Sequence, residues 1–434
     1  MSPTSPPPTE PRRELPNLAQ LRVFLTIAEV GSASGAAARL HRAQSAITRS
    51  LQELEHWVGE KLFERRAAGM MMTPAARVVH KRAERVFHEL EEVAAWCLAL
   101  QNGRRPTTGR PLPAYLLNTR RLQLMVSLAR HRHMPSAAHA LGISQPAVSS
   151  AIRILETGAG IRLFHRHARG LVPTTEGETF VLHIRRALNE LRHIEDDLAA
   201  ARGVIQGSVT IGALPLGRTL ILPAAIARIS AACPQVRIST DESAYETLVA
   251  NLRAGDIDFV LGALRQDDPA SGLVNEKLMS EELVVIARAG HPLASRQNLT
   301  LAQLVGAQWI LPRPNAPARA TIDGIFTRQR LKPPQPTVET ADLAVIRGLL
   351  LATDMLAVQS AQQLHYECRS GELKILDIAL KDTRRDIGLI MRAGGTPSPA
   401  ARALIDCIRE TLRAMPSALP VPARPARPTP RASS

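Results

Sequence analysis

An ungapped self-match at a spacing of 101 residues constrains this chain more than any other feature. The stretch "HRAQSAITRSLQELE" at 41–55 returns as "GISQPAVSSAIRILE" at 142–156. The same shift lays Leu21 on Leu122, Ala37 on Ala138, Leu40 on Leu141, Gln44 on Gln145, Leu62 and Phe63 on Leu163 and Phe164, Arg65 on Arg166, and Thr73 on Thr174. A gap-free match of this length implies one structural unit present twice.

Each occurrence reads as helix, helix, turn, helix, short β-wing and long helix. In the second, Ser144 suits an N-cap and Pro146 falls in the first turn, where its missing N–H costs little. Val148, Ile152 and Leu155 form an inward stripe and leave Gln145, Ser149, Ser150 and Arg153 outside. In the first, Ile47, Leu51 and Leu54 turn inward, and Gln44, Thr48, Arg49 and Gln52 outward, with Ala43 and Ser45 at the helix start. The first occurrence loses the capping Ser and the Pro, but neither loses its stripe.

The long helices carry narrow apolar seams. Val79, Ala83, Val86, Leu90, Val93 and Cys97 alternate spacings of four and three, and Ile184, Leu188, Leu191, Ile194 and Leu198 do nearly the same. That period favours helix pairing over burial of each helix on its own domain. The segment "QNGRRPTTGRPLP" at 101–113 has the content of a flexible linker.

With 434 residues the chain holds two to four domains. Its formal net charge of +15 favours a polyanionic partner. The excess is uneven: +5 over residues 1–118, +5 over 119–205, +2 over 206–414, and three Arg in the tail. Four scattered cysteines without a CxxC pair suggest buried thiols, with neither zinc nor disulfides. No apolar leader or uninterrupted apolar span is seen, so the expectation is a cytoplasmic protein, neither secreted nor membrane-spanning.

From Ser208 the pattern changes to βαβ units. The runs "SVTIGAL", "QVRISTDE" and "DIDFVLGAL" read as strands with helices at 218–232 and 244–254, implying a parallel sheet. A second set contains "ELVVIARAG", "QWILP", "TVET", the helix "ADLAVIRGLLLAT", "MLAVQ" and "RRDIGLIMRAG". Two α/β lobes joined by two crossings follow. Pro215 to Thr219 succeeds the first strand and opens a helix, so its amides and the Thr219 hydroxyl suit an anion.

The stretches "LRVFLTIAEVGSASGAAARLHRAQSAITRSLQELEHWVGEKLFERR" and "ALGISQPAVSSAIRILETGAGIRLFHRHARGLVPTTEGE" resemble the winged helix-turn-helix of LysR-type transcriptional regulators. The stretches "LRAGDIDFVLGAL", "VVIARAGHPLA" and "GLIMRAGGTPSPAARALIDCIR" resemble that family's co-inducer-binding domain, nearest the branch that includes regulators of sugar uptake and aromatic-acid catabolism. The resemblance implies a multi-domain α and α/β chain. Two all-α-rich winged helix-turn-helix domains with long linker helices precede a two-lobed α/β periplasmic-binding-protein-like effector domain. The usual member of the family has one such winged domain; here it is duplicated.

The expected boundaries are a disordered segment at 1–16, winged domain 1 at 17–76, linker helix 1 at 77–100, a flexible linker at 101–117, winged domain 2 at 118–177 and linker helix 2 at 178–205. The effector domain spans 206–414, with lobe 1 at 206–268 and 387–414 and lobe 2 at 269–386, before a disordered basic tail at 415–434.

A helix N-terminus enters the major groove, where base edges are distinguishable. The candidate DNA-binding residues are therefore Ala43, Gln44, Ser45, Thr48, Arg49 and Gln52, then Ser144, Gln145, Pro146, Ser149, Ser150 and Arg153. Gln44 and Gln145 can read adenine, and Arg49 and Arg153 guanine or phosphate. Wing arginines Arg65, Arg66, Arg166 and Arg169 suit phosphate or a narrow minor groove. In the family two chains pair their linker helices antiparallel. The linker at 101–113 is long enough to make that pairing within one chain.

For the co-inducer, the cleft candidates are Leu216, Gly217, Arg218 and Thr219. The resemblance adds Ala263, Leu264, Arg265, Arg313, Asn315, Thr340, Asp342 and, with Gln359, Ser360. Arg218, Arg265, Arg313 and Arg319 would suit a carboxylate. The pairs His131/His133 and His165/His167 lack a completing ligand and fall in predicted loops, so no metal is assigned. No nucleophile elbow, metalloprotease helix, phosphate loop or acid/base pair emerges, so neither an enzyme nor a cofactor is expected.

The resulting expectation is a DNA-binding transcriptional regulator controlled by a small-molecule co-inducer between the lobes. Its partners would be double-stranded DNA, a sugar, aromatic acid or other small carboxylate, further copies of the chain through the linker helices, and RNA polymerase; no membrane is expected. The alternatives are a DNA-architectural protein with a vestigial effector lobe and a cytoplasmic solute-binding protein.

Overall fold

The computed structural model describes residues 14–67, 69–103, 112–167, 170–265, 272–314 and 316–415. Of the disorder expected at 1–16 and 415–434 and the flexible linker expected at 101–117, residues 1–13, 416–434 and 104–111 lie outside the described residues. The chain divides into two compact units, one reaching to Gln206 and the other running from Gly207, with Ala254–Asp256 grouped with the first.

The first unit repeats one element order. It begins α1 (Leu18–Val30), α2 (Ala33–Leu40), α3 (Gln44–Val58), β1 (Phe63–Arg66), β2 (Gly69–Met72) and α4 (Pro74–Asn102). After a 3-10 turn at Ala114–Leu116 come α5 (Thr119–His131), α6 (Met134–Ala140), α7 (Gln145–Ala159), β3 (Phe164–His167), β4 (Gly170–Pro173) and α8 (Thr175–Ala201). Each long helix starts three residues before its expected position, because the Thr73 and Thr174 hydroxyls accept the amides of Ala76 and Gly177 and cap it.

Local hydrogen bonds recur at the same spacing. Asn17 and Asn118 cap α1 and α5 through their side chains. Glu55 and Glu156 each accept a backbone N–H, from Leu62 and Leu163, at 2.9 Å. Thr73 and Thr174 donate to the carbonyls of Lys61 and Arg162 at 2.8 Å. Each wing closes on the end of the first helix, with Met70 N donating to Gly31 O and Leu171 N to Arg132 O. Gly170 permits that approach, since a Cβ there would lie 2.2 Å from the Arg132 oxygen. The left-handed helix ends are filled unequally: α1 ends on Gly31 at φ 77° where α5 ends on Arg132 at φ 55°, and conversely His41 at φ 50° matches Gly142 at φ 62°, so each half holds one L side chain in a disfavoured conformation.

The two long helices pack on each other within the chain. Arg82, early in α4, bonds Glu190 and Asp197, late in α8, at 2.6 Å each. Glu89, further along α4, lies 2.8 Å from His183, near the start of α8. The two helices therefore run antiparallel. These contacts also exchange under the spacing of 101, which carries Arg82 onto His183 and Glu89 onto Glu190. Leu18 N donates to Thr119 Oγ1 at 3.1 Å, and Thr119 Oγ1 to Pro16 O at 2.9 Å. Leu18 and Thr119 are matched positions, and such positions meet only on an axis that exchanges the two halves.

Both seams are consumed in this packing. Val79, Ala83, Val86, Leu90 and Val93 are fully buried, with Cys97, Ile184, Leu188, Leu191, Ile194 and Leu198 at most 5% exposed. They belong to one continuous core running through both halves of the unit. Burying each large aliphatic side chain contributes roughly 1.5–3 kcal/mol. The seam expected to join separate chains is thus filled from within one chain. The helix ends also cross over: Arg202 Nε bonds Glu60 at 2.7 Å, and Gln101 donates to the Ala159 carbonyl.

The second unit has two α/β lobes. Lobe 1 holds β5 (Gly207–Ala213), α9 (Pro215–Arg218), α10 (Ile221–Ala232), β6 (Val236–Asp241), α11 (Tyr245–Ala254), β7 (Phe259–Ala263) and β8 (Leu273–Glu281). Lobe 2 follows with β9 (Leu283–Arg288), β10 (Trp309–Leu311), α12 (Pro317–Arg328), β11 (Pro336–Glu339), α13 (Leu343–Ala352), β12 (Leu356–Ser360), α14 (His365–Ser370) and β13 (Leu373–Ile375). The chain then returns to lobe 1 as β14 (Arg385–Arg392) and α15 (Pro399–Ala414). The sheet orders are β6-β5-β7-β14-β8 and β11-β10-β12-β9-β13.

Several expectations need correction here. The sheets are mixed, since β14 runs antiparallel to β7 and β8, and β9 to β12 and β13. Lobe 2 does not begin at 269: β8 pairs with β14 and belongs to lobe 1. Its sequence "LVNEKLMSE" lacks clean alternation because most of its residues are half-buried. Of the four thiols only Cys97 is buried, and desolvation pushes it up to about 12. His131 lies in α5, and His165 and His167 lie in β3, not in loops. No described helix is long and apolar enough to cross a membrane.

Candidate nucleic-acid interface and ligand cleft

The recognition helices α3 and α7 are held by their inward stripes, with Ile47, Leu51 and Leu54 in one and Val148, Ile152 and Leu155 in the other all buried. The opposite faces are open. Ala43, Gln44, Ser45, Arg49 and Gln52 are exposed and Thr48 half-buried; Ser144, Gln145, Pro146, Ser149 and Arg153 are exposed and Ser150 half-buried.

Ser144 occupies the N-cap of α7 in extended backbone, but its hydroxyl caps nothing. Ala43 likewise leaves α3 without a side-chain cap. The loss of Ser from the first segment is therefore no structural deficit. Both helices present uncapped N-terminal amides, which suit phosphate.

The two faces differ in their internal bonds. Arg49 Nε donates to Glu53 at 2.9 Å and Gln20 donates to the other Glu53 oxygen at 2.8 Å. The Arg49 hydrogen bond, with that of Gln20, holds the Glu53 carboxyl below its ordinary range. Thr48 donates to the Gln44 carbonyl. Among the described residues Arg153 has no such tie. On the wings Arg65 and Arg66 are exposed, and Arg66 bonds Glu64 at 2.9 Å. Arg166 lies in β3; its side chain and Arg169 fall outside the described residues.

A cleft of about 1060 Å³ opens in the second unit, lined by both lobes and by the crossing strands. Leu216, Arg218, Ala263, Leu264 and Arg265 line it, as does Gln359. The lining does not include Gly217, Thr219, Arg313, Thr340, Asp342 or Ser360, and Asn315 lies outside the described residues. Their surroundings differ. Gly217 packs against Leu261. Thr219 Oγ1 is buried without a partner. Arg313 is exposed. Thr340 accepts the Asp342 amide, and Asp342 caps α13. Ser360 is fully buried and bonds Glu281.

The arginines separate by their bonds. Arg319 is committed to Asp323, Glu339 and the Pro312 carbonyl. Arg265 pairs with Glu246 and lies 3.5 Å from the centroid of the Tyr245 ring. Arg218 has neither hydrogen bond nor ion pair among the described residues, and its Nε is buried.

Sequence reasoning missed Glu242 to Glu246, Lys277 and Arg384 to Asp386, all in the lining. The segment after β6 was legible in principle, because ligands gather beyond the carboxyl ends of strands. The segment at 384–386 was not, because β14 enters antiparallel. Arg385 Nη2 donates to Glu281 at 3.0 Å while its Nε is buried without a partner. Burial raises the Glu281 pKa against the opposing Ser360 and Arg385 contacts. Among the described residues no cluster of three His, Cys, Asp or Glu side chains could hold a metal.

Residues 202–413 match the LysR substrate binding domain. Residues 18–77 and 119–178 each match the bacterial regulatory helix-turn-helix protein of the lysR family. The HTH-type transcriptional regulator GalR of Pseudomonas putida is 51% identical over 399 residues, covering 92% of this chain and 98% of that protein. The HTH-type transcriptional regulator PcaQ of Agrobacterium fabrum is 31% identical over 293 residues, covering 67% of this chain and 94% of that protein. In fold, a full-length OxyR from Pseudomonas aeruginosa matches with a TM-score of 0.53 at 22% identity, covering 69% of this chain and 96% of the other. The relatives are named as transcriptional regulators, not enzymes. The chain belongs to the LysR family of DNA-binding transcriptional regulators, with a substrate-binding domain following its helix-turn-helix region.

Proposed function

We propose that this regulator carries a tandem duplication of the winged domain, and that the two winged domains of one chain act as the pair that grips DNA. The observation that carries this reading is the burial of both linker-helix seams on each other in a single chain. Coverage supports it. The match to GalR takes in 92% of this chain, whereas PcaQ, itself covered to 94%, accounts for only 67%. The share left over has room for one winged segment with its long helix, Leu18–Asn102, together with the two ends of the chain. On this reading further assembly uses other surfaces, and the protein works in the cytoplasm beside its DNA.

The effector cleft takes a small co-inducer bearing a carboxylate. Arg218 is the support: it lines the cleft, carries no ion pair among the described residues, and buries an unpartnered Nε. Arg218 is half-buried with one N–H buried and unpartnered, so an anion that completes its hydrogen bonding is favoured. Ligand binding then shifts how the winged pair sits on DNA, by differential affinity for two states. An open cleft with an unsatisfied arginine also speaks against a vestigial effector lobe.

Thermal-shift measurements against small carboxylates, aromatic acids and neutral sugars, run beside gel shifts on the neighbouring intergenic DNA, test this reading. The expected result is a Tm rise with a carboxylate that disappears in Arg218→Ala, together with retarded DNA. Stabilisation by a ligand without any DNA binding would instead identify a solute-binding protein.

A further inference from the structure

Matched positions on the two recognition helices carry different chemistry. The places of Arg49 and Gln52 in α3 are taken by Ser150 and Arg153 in α7, so the exposed cation stands nearly one turn further along the second helix. Glu53, which holds Arg49, matches the exposed Ile154, so α7 has neither the acid nor the restraint. The first wing pairs Glu64 with Arg66, where the second has His165 and His167.

The linker-helix seam is also unequal. Arg82 takes two carboxylates, Glu190 and Asp197, but the position matching Asp197 is Trp96. A pairing of two first segments from different chains would place Trp96 where Asp197 now accepts from the buried guanidinium. A pairing of two second segments would replace the guanidinium with the His183 ring. The unlike pairing alone gives Arg82 both partners.

A protein with two identical reading helices binds a palindrome, because each helix meets the same half-site. Here the frame has two-fold symmetry and the reading surfaces do not. We infer that this chain reads a non-palindromic operator of two inverted but unlike half-sites. The half under α7 is bound more strongly than the half under α3. Glu53 weakens the first half because it occupies Arg49 and sets an anion beside the phosphates. This inference rests on the paired reading proposed above.

Selection of bound sequences from a duplex DNA library with a randomised core, using the full-length chain, tests it. The selection is repeated with Arg49→Ser and Arg153→Ser. Both side chains are exposed, so neither change disturbs the fold. The expected motif has two unlike halves. Arg153→Ser erases base preference in one half and weakens binding roughly tenfold or more. Arg49→Ser alters only the other half, with a smaller loss. A palindromic motif, or one variant changing both halves, would overturn the inference. A single half-motif indifferent to Arg49→Ser would reject the paired reading itself, which is a distinguishable result.

Discussion

The two halves of the first unit share their apolar core and their local turns, and part at the charged seam and on the recognition faces. Glu55 and Glu156, and Thr73 and Thr174, make matching bonds, and Asn17 and Asn118 each cap a helix, through the amides of Ala19 and Arg121. Arg49 and Ser150, or Glu53 and Ile154, share a position and nothing else. Packing against a common core fixes shape at each inward site, since interiors tolerate little change in volume. An exposed face carries no such demand. The difference teaches where the two halves have been free to take separate tasks, and on the proposed function that task is reading two stretches of DNA.

The largest expected effect lies at the seam. Arg82 is 2% exposed, and desolvation lowers its pKa while Asp197 and Glu190 raise it further, leaving it above its ordinary value. Arg82→Ala strands two carboxylates and should lower stability by about 3–5 kcal/mol in urea unfolding. Arg82→Met combined with Glu190→Leu and Asp197→Leu should recover most of that loss, because no charge is then left buried. An Arg82→Ala cost below 1 kcal/mol, on the scale of an exposed pair, would break the claim that the seam closes inside the chain.

Next come the matched aliphatics. Leu90→Ala and Leu191→Ala should each cost roughly 2–5 kcal/mol. Both sites are buried to within 1%, so the two losses should be close to equal. A marked inequality would show that one half is packed less firmly than its partner.

The smallest effect sharpens a backbone difference at the helix ends. Arg132 stands in left-handed conformation where the first half has Gly31. Arg132→Gly should raise stability by about 1 kcal/mol and Gly31→Ala should lower it by about the same amount, since the left-handed region costs an L residue roughly 1–2 kcal/mol. Thermal unfolding of both variants reads the opposite signs.

Much of this was legible in the sequence, for particular reasons. The spacing of 101 predicted both winged segments, and the alternation from Val79 to Cys97 predicted a paired seam, because apolar periodicity reports burial directly. The strand at Leu273–Glu281 was not legible: its residues are partly buried on both faces and show no alternation. In the cleft, Arg218 could be placed by its position after a strand, and Arg319 differs from it locally, since Asp323 stands four residues on in the same helix. The tertiary fold adds Glu339 to Arg319 and, among the described residues, no partner to Arg218. Arg384 to Asp386 reach the cleft only because β14 returns antiparallel beside β7 and β8.

The central claim is that the two long helices pair within one chain, and Glu60 and Arg202 offer the most direct test because their side chains bond each other at the end of that pairing. The double variant Glu60→Cys with Arg202→Cys, made in a chain whose four native cysteines are replaced by serine, is treated with a short bis-maleimide. The pairing described here gives a crosslinked product of monomer mass, and no product when separate Glu60→Cys and Arg202→Cys chains are mixed. Crosslinks found only at dimer mass, and formed equally in the mixture, would contradict it.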